Sequence, residues 1–395
     1  MNKKRIICCV ITARPSYARI KTVLTAIKKH PNLKLIILVS GSANLERYGN
    51  VSKVIEEDGF VVNEKIFISL EGGSPYLMAK ATGLATSEIS VCIANFKPDV
   101  VITIADRFET LGTSIAAAYQ NIPLAHIQGG EVTGSIDEKV RHCNTKLADI
   151  HFVASQDAYE RVVKMGENKK TVFNTGCPAN DLALDAIKYK ELSFNPIEHG
   201  VGEIKNWKNG YIISMQHPVT TEYKDAGRQV LETLSAVQEL DIPTFWFWPN
   251  IDAGTDKISH VIRQFRELNN PKNILFIKNM KPENFLNLLN NSLCLVGNSS
   301  VGIRESSLIG VPVVNLGTRQ YHRLRSNNVI DCKHDKESII KSVTSQMNHG
   351  FYASSAIYGD GHSGERIAEI LATCEPVSYT HLRAHETPEH LVCRL

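Results

Sequence analysis

Two polar loops carry most of the residues able to move protons or hold an anion. The first reads Ala105-Asp106-Arg107-Phe108-Glu109. The second runs from Gln128-Gly129-Gly130-Glu131 to Asp137-Glu138 and Arg141-His142. Each follows a short apolar, β-branched run (100–104 and 123–127), the pattern of a buried parallel strand. In open α/β sheets, ligands bind at the carboxyl ends of such strands. Asp106, Glu131 and Asp137 are candidate acid/base carboxylates, and Arg107, Arg141, His126 and His142 stand beside them. Capping or turn formation accounts for such residues singly. Charge gathered at one sheet edge is costly unless it is used.

A second set lies further along the chain. Thr12-Ala13-Arg14-Pro15-Ser16 ends a first strand and opens a helix. Pro15 and Ser16 suit that start, but Arg14 at a helix N-terminus opposes the dipole unless an anion binds there. Gln216-His217-Pro218 ends another strand and places His217 at a sheet edge. Gly297-Asn298-Ser299-Ser300 sets two hydroxyls at a helix start, a phosphate cradle, with Glu305 one turn on as a ribose acceptor. Asn315-Leu316-Gly317-Thr318-Arg319 adds a cation. Capping accounts for Ser299 but not for Arg319 and Glu305, and together these read as a diphosphate-nucleoside site.

The elements that must position these groups alternate strand and helix from residue 5 onward, the pattern of α/β doubly wound sheets with right-handed crossovers. Residues 1–188 read as one Rossmann-like domain carrying the carboxylates. Residues 189–209, with Pro196, Gly200 and Gly202 and no clear period, read as a linker, and 210–360 as a second Rossmann-like domain binding the diphosphate. A strand is expected over 61–68, and a helix over 361–375 that folds back on the first half. Two domains facing across a cleft put the ligand between them. Gly359-Asp-Gly361-His-Ser-Gly364 matches a dinucleotide fingerprint in form only, because no clear strand precedes it. The tail 376–395, with His381, His385, His390 and Cys393, breaks the pattern and reads as an unstructured or non-native appendage rather than a metal site.

At 395 residues, 43% hydrophobic and with a net charge of +3, the chain suits two ordinary cores and gives no argument for nucleic acid or membrane partners. The apolar run after Lys3-Lys4-Arg5 stops too soon for a signal peptide, and no run is expected to span a bilayer. Nine scattered cysteines without a Cys-x-x-Cys pair point to a reducing, cytoplasmic setting with no metal site.

The stretches around Asp106-Arg107, His126 to Asp137, Arg141-His142, Gln216-His217-Pro-Val-Thr-Thr, Pro249-Asn250-Ile-Asp-Ala-Gly, Gly297-Asn-Ser-Ser and Asn315-Leu-Gly-Thr-Arg319 resemble the hydrolysing UDP-N-acetylglucosamine 2-epimerases, in order over residues 5–374. The resemblance implies a glycosyltransferase-B-like fold and conversion of UDP-GlcNAc and water to N-acetylmannosamine and UDP, for sialic acid synthesis. A close branch acts on UDP-2,4-diacetamido-2,4,6-trideoxy-glucose for legionaminic acid. Carried over by motif, Arg14, Arg107, His217, Asn250, Ser299, Ser300, Glu305 and Arg319 would hold UDP. Asp106, position 128 and Asp137 would be the acid/base group, with Glu131 and His217 as further catalytic candidates. Arg141 and His142 would contact substrate. No cofactor is implied, and identical subunits are expected to associate.

The chain departs from that pattern at two positions. Gln128 stands where many members have Glu, and an amide cannot trade a proton. Either Glu131 or Asp106 takes the duty, or the substrate differs, or activity is lost. Ala18 stands where the pattern has Ser. A non-hydrolysing epimerase, a retaining glycosyltransferase and an inactive UDP-sugar-binding protein are the alternatives.

Overall fold

The computed structural model describes residues 3–46, 50–68, 75–133, 136–189, 191–249 and 254–375. The first sheet is seven-stranded and parallel, in the order β3-β2-β1-β4-β5-β6-β7. Its strands are β1 (Arg5–Ile11), β2 (Leu33–Ser40), β3 (Glu64–Ile66), β4 (Val100–Ile104), β5 (Leu124–Ile127), β6 (Ile150–Val153) and β7 (Val172–Asn174). Central β1 pairs with β2 and β4, Ile7 lying level with Leu35 and Val100. The order reverses between β1 and β4. The chain therefore leaves these two strands in opposite directions and opens a crevice at their carboxyl ends, where Arg14 and Asp106 sit.

Helices cover both faces, which is why β1 and β4 are buried along nearly their whole length. α1 (Arg14–Lys29) buries Tyr17, Ile20, Val23, Leu24 and Ile27 at helical spacing, and its last turn carries Lys28 and Lys29, favourable to the dipole. α2 (Val51–Glu57), α3 (Pro75–Phe96), α4 (Phe108–Tyr119), α5 (Asp137–Leu147) and α6 (Gln156–Lys164) are the other helices of this half.

The second sheet runs β14-β13-β12-β9-β10-β11-β8. It contains β8 (Gly200–Glu203), β9 (Ile212–Met215), β10 (Thr244–Phe247), β11 (Ile274–Ile277), β12 (Cys294–Gly297), β13 (Val313–Leu316) and β14 (Val329–Cys332), packed with α8 (Ala226–Leu240), α9 (Thr255–Asn269), α10 (Pro282–Asn290), α11 (Glu305–Ile309) and α12 (Lys336–His349). Here the order reverses between β9 and β12, the strands that deliver His217 and Ser299. The expected architecture of two Rossmann-like α/β domains facing across a cleft is observed.

Several local expectations are corrected. The stretch read as a linker contributes β8, an edge strand antiparallel to β11. Its glycines hid it from any periodicity, yet they are what admits it: a Cβ on Gly200 or Gly202 would meet Leu275 or the Ile274 carbonyl at 2.6 and 2.5 Å. β14 also went unread, being a four-residue edge strand. β3 spans only Glu64–Ile66 rather than 61–68. The helix α7 (Ala179–Ile187), assigned by sequence to the first domain, buries Leu182, Ala183 and Ala186 in the core of the second, with Tyr211 and Phe245. α3, contrary to expectation, has the length and composition to cross a membrane, although Ala81, Ala85, Ile89 and Ile93 are buried within the protein. The tail from 376 and the 48–49 turn lie outside the described residues.

α13 (Ser363–Thr373) places Ile367, Ala368 and Leu371 in the first core, and Arg5 Nη1 donates to the carbonyls of Leu371 and Cys374 at 2.7 Å each. The glycines before it serve a chain crossing. A Cβ on Gly359 would lie 2.7 Å from the Gly176 Cα, Asn180 Nδ2 donates to the carbonyls of Tyr358 and Gly359, and Asp181 accepts from the amides of Ser363 and Gly364.

Candidate active site

The cleft between the domains has a volume of about 980 Å³, and its walls include Arg14, Arg19 and Arg107 from the first domain and His217, Ser299, Ser300, Glu305 and Arg319 from the second. Beneath it lies a buried cluster of opposite charges. Arg141, fully buried, ion-pairs with Asp106 through Nη2 and donates through Nη1 to the Glu131 carbonyl at 2.7 Å. From across the cleft Arg304 Nη2 meets Glu131 Oε2 at 2.8 Å. Arg323 Nη2 lies 3.5 Å from Glu131 and 3.9 Å from Asp106. Arg19 joins cluster to cleft: Nη1 lies 4.0 Å from Asp106, and Nη2 donates to Ser300 Oγ at 2.9 Å.

The backbone that presents Asp106 is strained. Ala105 and Gln128, the residues after β4 and β5, have φ of 63° and 66°, a left-handed conformation that costs a non-glycine residue about 1–3 kcal/mol. His126 Nε2 donates to the Ala105 carbonyl at 3.0 Å, and Gln128 N donates to the Phe152 carbonyl at 2.8 Å. Burial, only partly offset by that Ala105 bond, lowers the His126 pKa to about 3. His126 is a fixed neutral donor.

Burial alone would raise the carboxyl groups of Asp106 and Glu131. The surrounding guanidiniums outweigh it, holding Asp106 well below the carboxylate range and Glu131 at about 2. Both are anions at neutral pH. Glu305 differs: burial raises its pKa against the pull of Arg304 and Arg19, and its Oε2 has no hydrogen-bond partner among the described residues.

In the second domain the loops after β9 and β12 lock together. Asn298 Oδ1 accepts from His217 N at 2.7 Å, and its Nδ2 donates to the His217 carbonyl at 2.8 Å. Arg319 Nη1 and Gln320 Nε2 both donate to the Asn298 carbonyl. Gly297 permits this approach at φ 146°, since a Cβ there would lie 2.0 Å from the Met215 carbonyl oxygen. His217 is buried, and burial followed by Arg319 and Arg19 keeps its pKa well below 6.5. It is a neutral ring on the cleft wall.

A family model described as UDP-N-acetylglucosamine 2-epimerase matches residues 25–372. The chain belongs to this family. The hydrolysing UDP-N,N'-diacetylbacillosamine 2-epimerase of Legionella pneumophila is 32% identical over 369 residues, 93% of this chain and 96% of that one. A UDP-N-acetylglucosamine 2-epimerase of Neisseria meningitidis is 30% identical over 376 residues, 93% and 95%. In fold the chain is similar to the Methanocaldococcus jannaschii UDP-GlcNAc 2-epimerase solved with UDP-GlcNAc and UDP, with a TM-score of 0.76 at 20% identity over 93% of this chain and 99% of that one.

In this epimerase-family chain the residues expected from sequence separate into three groups. Arg14, Arg107, His217, Ser299, Ser300, Glu305 and Arg319 line the cleft. Arg14 also reaches across the domains, donating to the Met280 carbonyl, and Arg107 donates to both oxygens of Glu109 at 3.1 Å. Asp106, Glu131 and Arg141 form the cluster below, so Arg141 holds a carboxylate and is not on the cleft wall. Gln128 and His142 are on neither. Gln128 is fully buried and its Nε2 donates to Cys177 Sγ at 3.0 Å. His142 faces Glu138 at 3.8 Å on α5. Asp137 is the first residue of α5, half-buried and not on the cleft wall. Asn250 lies outside the described residues.

The hydroxyl pair is also placed differently from expectation. Ser299 caps a 3-10 turn at 300–302, and α11 begins only at Glu305. Sequence reading missed Arg19, Arg304 and Arg323. Arg19 sits mid-helix on α1, and the other two resemble surface arginines until the domains meet. No local pattern signalled them, Arg304 itself standing beside Glu305 and two serines where a helix begins.

Proposed function

We propose that this protein is a hydrolysing 2-epimerase that converts UDP-GlcNAc and water to N-acetylmannosamine and UDP. The observation that carries the reading is the charge arrangement below the cleft. Arg19, Arg141, Arg304 and Arg323 surround Asp106 and Glu131, so guanidiniums outnumber ionised carboxylates by two, matching the charge of a diphosphate. Glu131 Oε1 and Arg323 Nη1 are also buried without a partner among the described residues, the sign of groups that await a ligand.

In the proposed chemistry Arg14, Arg107, Arg319 and the Ser299-Ser300 turn hold the diphosphate, and Glu305 accepts ribose hydroxyls. Asp106 removes the proton from sugar C2 as the C1–O bond to UDP breaks, leaving a glycal. A carboxylate held this low is a weak base in the empty site. Arg19 lines the cleft and also lies 4.0 Å from Asp106, so a diphosphate bound there shares this guanidinium, adds negative charge beside Asp106 and raises its proton affinity as the substrate arrives. Arginines pre-set around the departing oxygen stabilise its charge. Water then adds at C1 and a proton returns to C2 on the opposite face, with Glu131 and Asp137 as the further carboxylates and His217 as a neutral donor. The latched domains exclude bulk water from the glycal.

A second substrate, UDP-2,4-diacetamido-2,4,6-trideoxy-glucose, is favoured by the Legionella relative named for diacetylbacillosamine. Incubation with each nucleotide sugar, followed by NMR in deuterated water, tests both. Free UDP together with a manno sugar deuterated at C2 is the expected result. Release of UDP-ManNAc would show a non-hydrolysing enzyme, and UDP binding without turnover would leave only a nucleotide-sugar-binding protein.

A further inference from the structure

Both backbone carbonyls that flank Asp106 are held from behind by side chains that are not on the cleft wall. On one side the Ala105 carbonyl accepts from His126 Nε2 at 3.0 Å and from Asn144 Nδ2 at 3.4 Å. On the other the Arg107 carbonyl accepts from Thr110 N at 2.9 Å and from Thr110 Oγ1 at 2.6 Å. The two sides are joined. Asn144 Nδ2 also donates to Thr110 Oγ1 at 2.8 Å. Asn144 Oδ1 accepts from Ser114 Oγ at 2.8 Å, closer than the 3.3 Å from that hydroxyl to the Thr110 carbonyl.

The donor directions agree along the whole series of bonds. A carbonyl only accepts, so Asn144 must turn its amide nitrogen to Ala105, and Thr110 gives its one hydrogen to Arg107. Thr110 then accepts from Asn144, and Asn144 accepts from Ser114. Buried bonds that run in one direction strengthen one another, and all three side chains are buried, Thr110 and Ser114 on α4 and Asn144 on α5.

Helix packing does not need this triad. Apolar side chains of matching shape would join α4 to α5 without the desolvation of three polar groups. Neither carbonyl depends on the triad for a partner, since His126 and Thr110 N already supply one each. What the triad adds is a tie between the two carbonyls, across Ala105 with its left-handed φ of 63°. Such a conformation persists only where its surroundings over-determine it.

We propose that Ser114, Asn144 and Thr110 are positioning residues: by tying together the carbonyls on either side of Asp106, they fix the direction from which its carboxylate meets the sugar C2 proton. The inference rests on the reading of Asp106 as the base of a 2-epimerase.

The triple variant Thr110→Val/Ser114→Ala/Asn144→Leu tests it, because each flanking carbonyl keeps its remaining partner and no polar member of the triad is stranded. Thermal stability should stay close to wild type. For UDP-GlcNAc, kcat should fall roughly tenfold to a hundredfold, as a small misplacement of a reacting group does, with KM close to the wild-type value. Thr110→Ser, which keeps the hydroxyl, should retain kcat, whereas Thr110→Val should lower it. Hydrogen–deuterium exchange gives a readout independent of the reaction: it should rise at 104–110 in the triple variant and stay unchanged in β1 and β9. A triple variant with wild-type kcat, one that does not fold, or one with unchanged exchange at 104–110 would overturn the proposal. So would a loss of kcat that merely tracks a loss of stability across the variants. A wild-type chain that turns over neither nucleotide sugar would overturn the 2-epimerase reading instead, and raised exchange confined to 104–110 would then still establish the tie.

Discussion

Arg304 of the second domain and Glu131 of the first meet at 2.8 Å, both almost fully buried. Neither charge has water to fall back on, so each makes the other tolerable and the two domains are held in register at the cleft floor. Removing one partner of a buried pair strands the other, at a cost of about 3–5 kcal/mol. Arg304→Met should therefore lower stability by roughly 3 kcal/mol, Arg323 leaving Glu131 partly compensated. The Arg304→Met/Glu131→Leu double variant should be more stable than that single. Urea denaturation of the four proteins of the cycle measures both.

The acid side of the stability profile follows from Glu131. Its folded pKa of about 2 lies below its ordinary 4.5, so its contribution is fully present above pH 4.5 and is lost as pH falls toward 2. The stability gap between wild type and Glu131→Gln should be constant near neutral pH and shrink below pH 4.5. A gap that instead widened on acidification would contradict the anionic state of Glu131.

Asp106→Asn keeps the shape of the side chain and removes the proton acceptor. Turnover of a UDP-sugar should fall by about 10²–10⁴, while UDP still binds, as read by calorimetry. Equal loss of binding and turnover would assign Asp106 to holding the ligand.

On the cleft wall Arg319→Ala should weaken UDP binding by roughly ten- to a hundred-fold, the worth of a charge-assisted hydrogen bond or two. Gln128→Glu, by contrast, would place a carboxyl in a buried position against Cys177 and should destabilise the fold without raising turnover. A rise in turnover would show that position 128 reaches the substrate.

Gly297→Ala tests the second domain's switch point. The added Cβ would lie 2.0 Å from the Met215 carbonyl oxygen at a left-handed φ, so thermal stability and UDP binding should fall together.

The sequence alone determined the alternation of strands and helices, because buried parallel strands need apolar runs and covering helices need a stripe. It also determined which loops carry polar groups, since residues 106, 131, 217, 299 and 319 each follow such a run. Weakly patterned edges escaped it: β8 is built on two glycines and β14 pairs on one side only. Only the tertiary structure decided which of the polar groups meet. Arg19, Arg304 and Arg323 carry no local sign of their role, because an arginine's partner is set by which domain faces it and not by its neighbours in sequence. The same holds for Gln128, adjacent in sequence to the Glu131 loop yet turned inward against Cys177. The charge balance around Asp106 and Glu131 exists only once two domains close on one another, and it is there that an ordinary set of acids and arginines becomes one buried cluster with more guanidiniums than carboxylates.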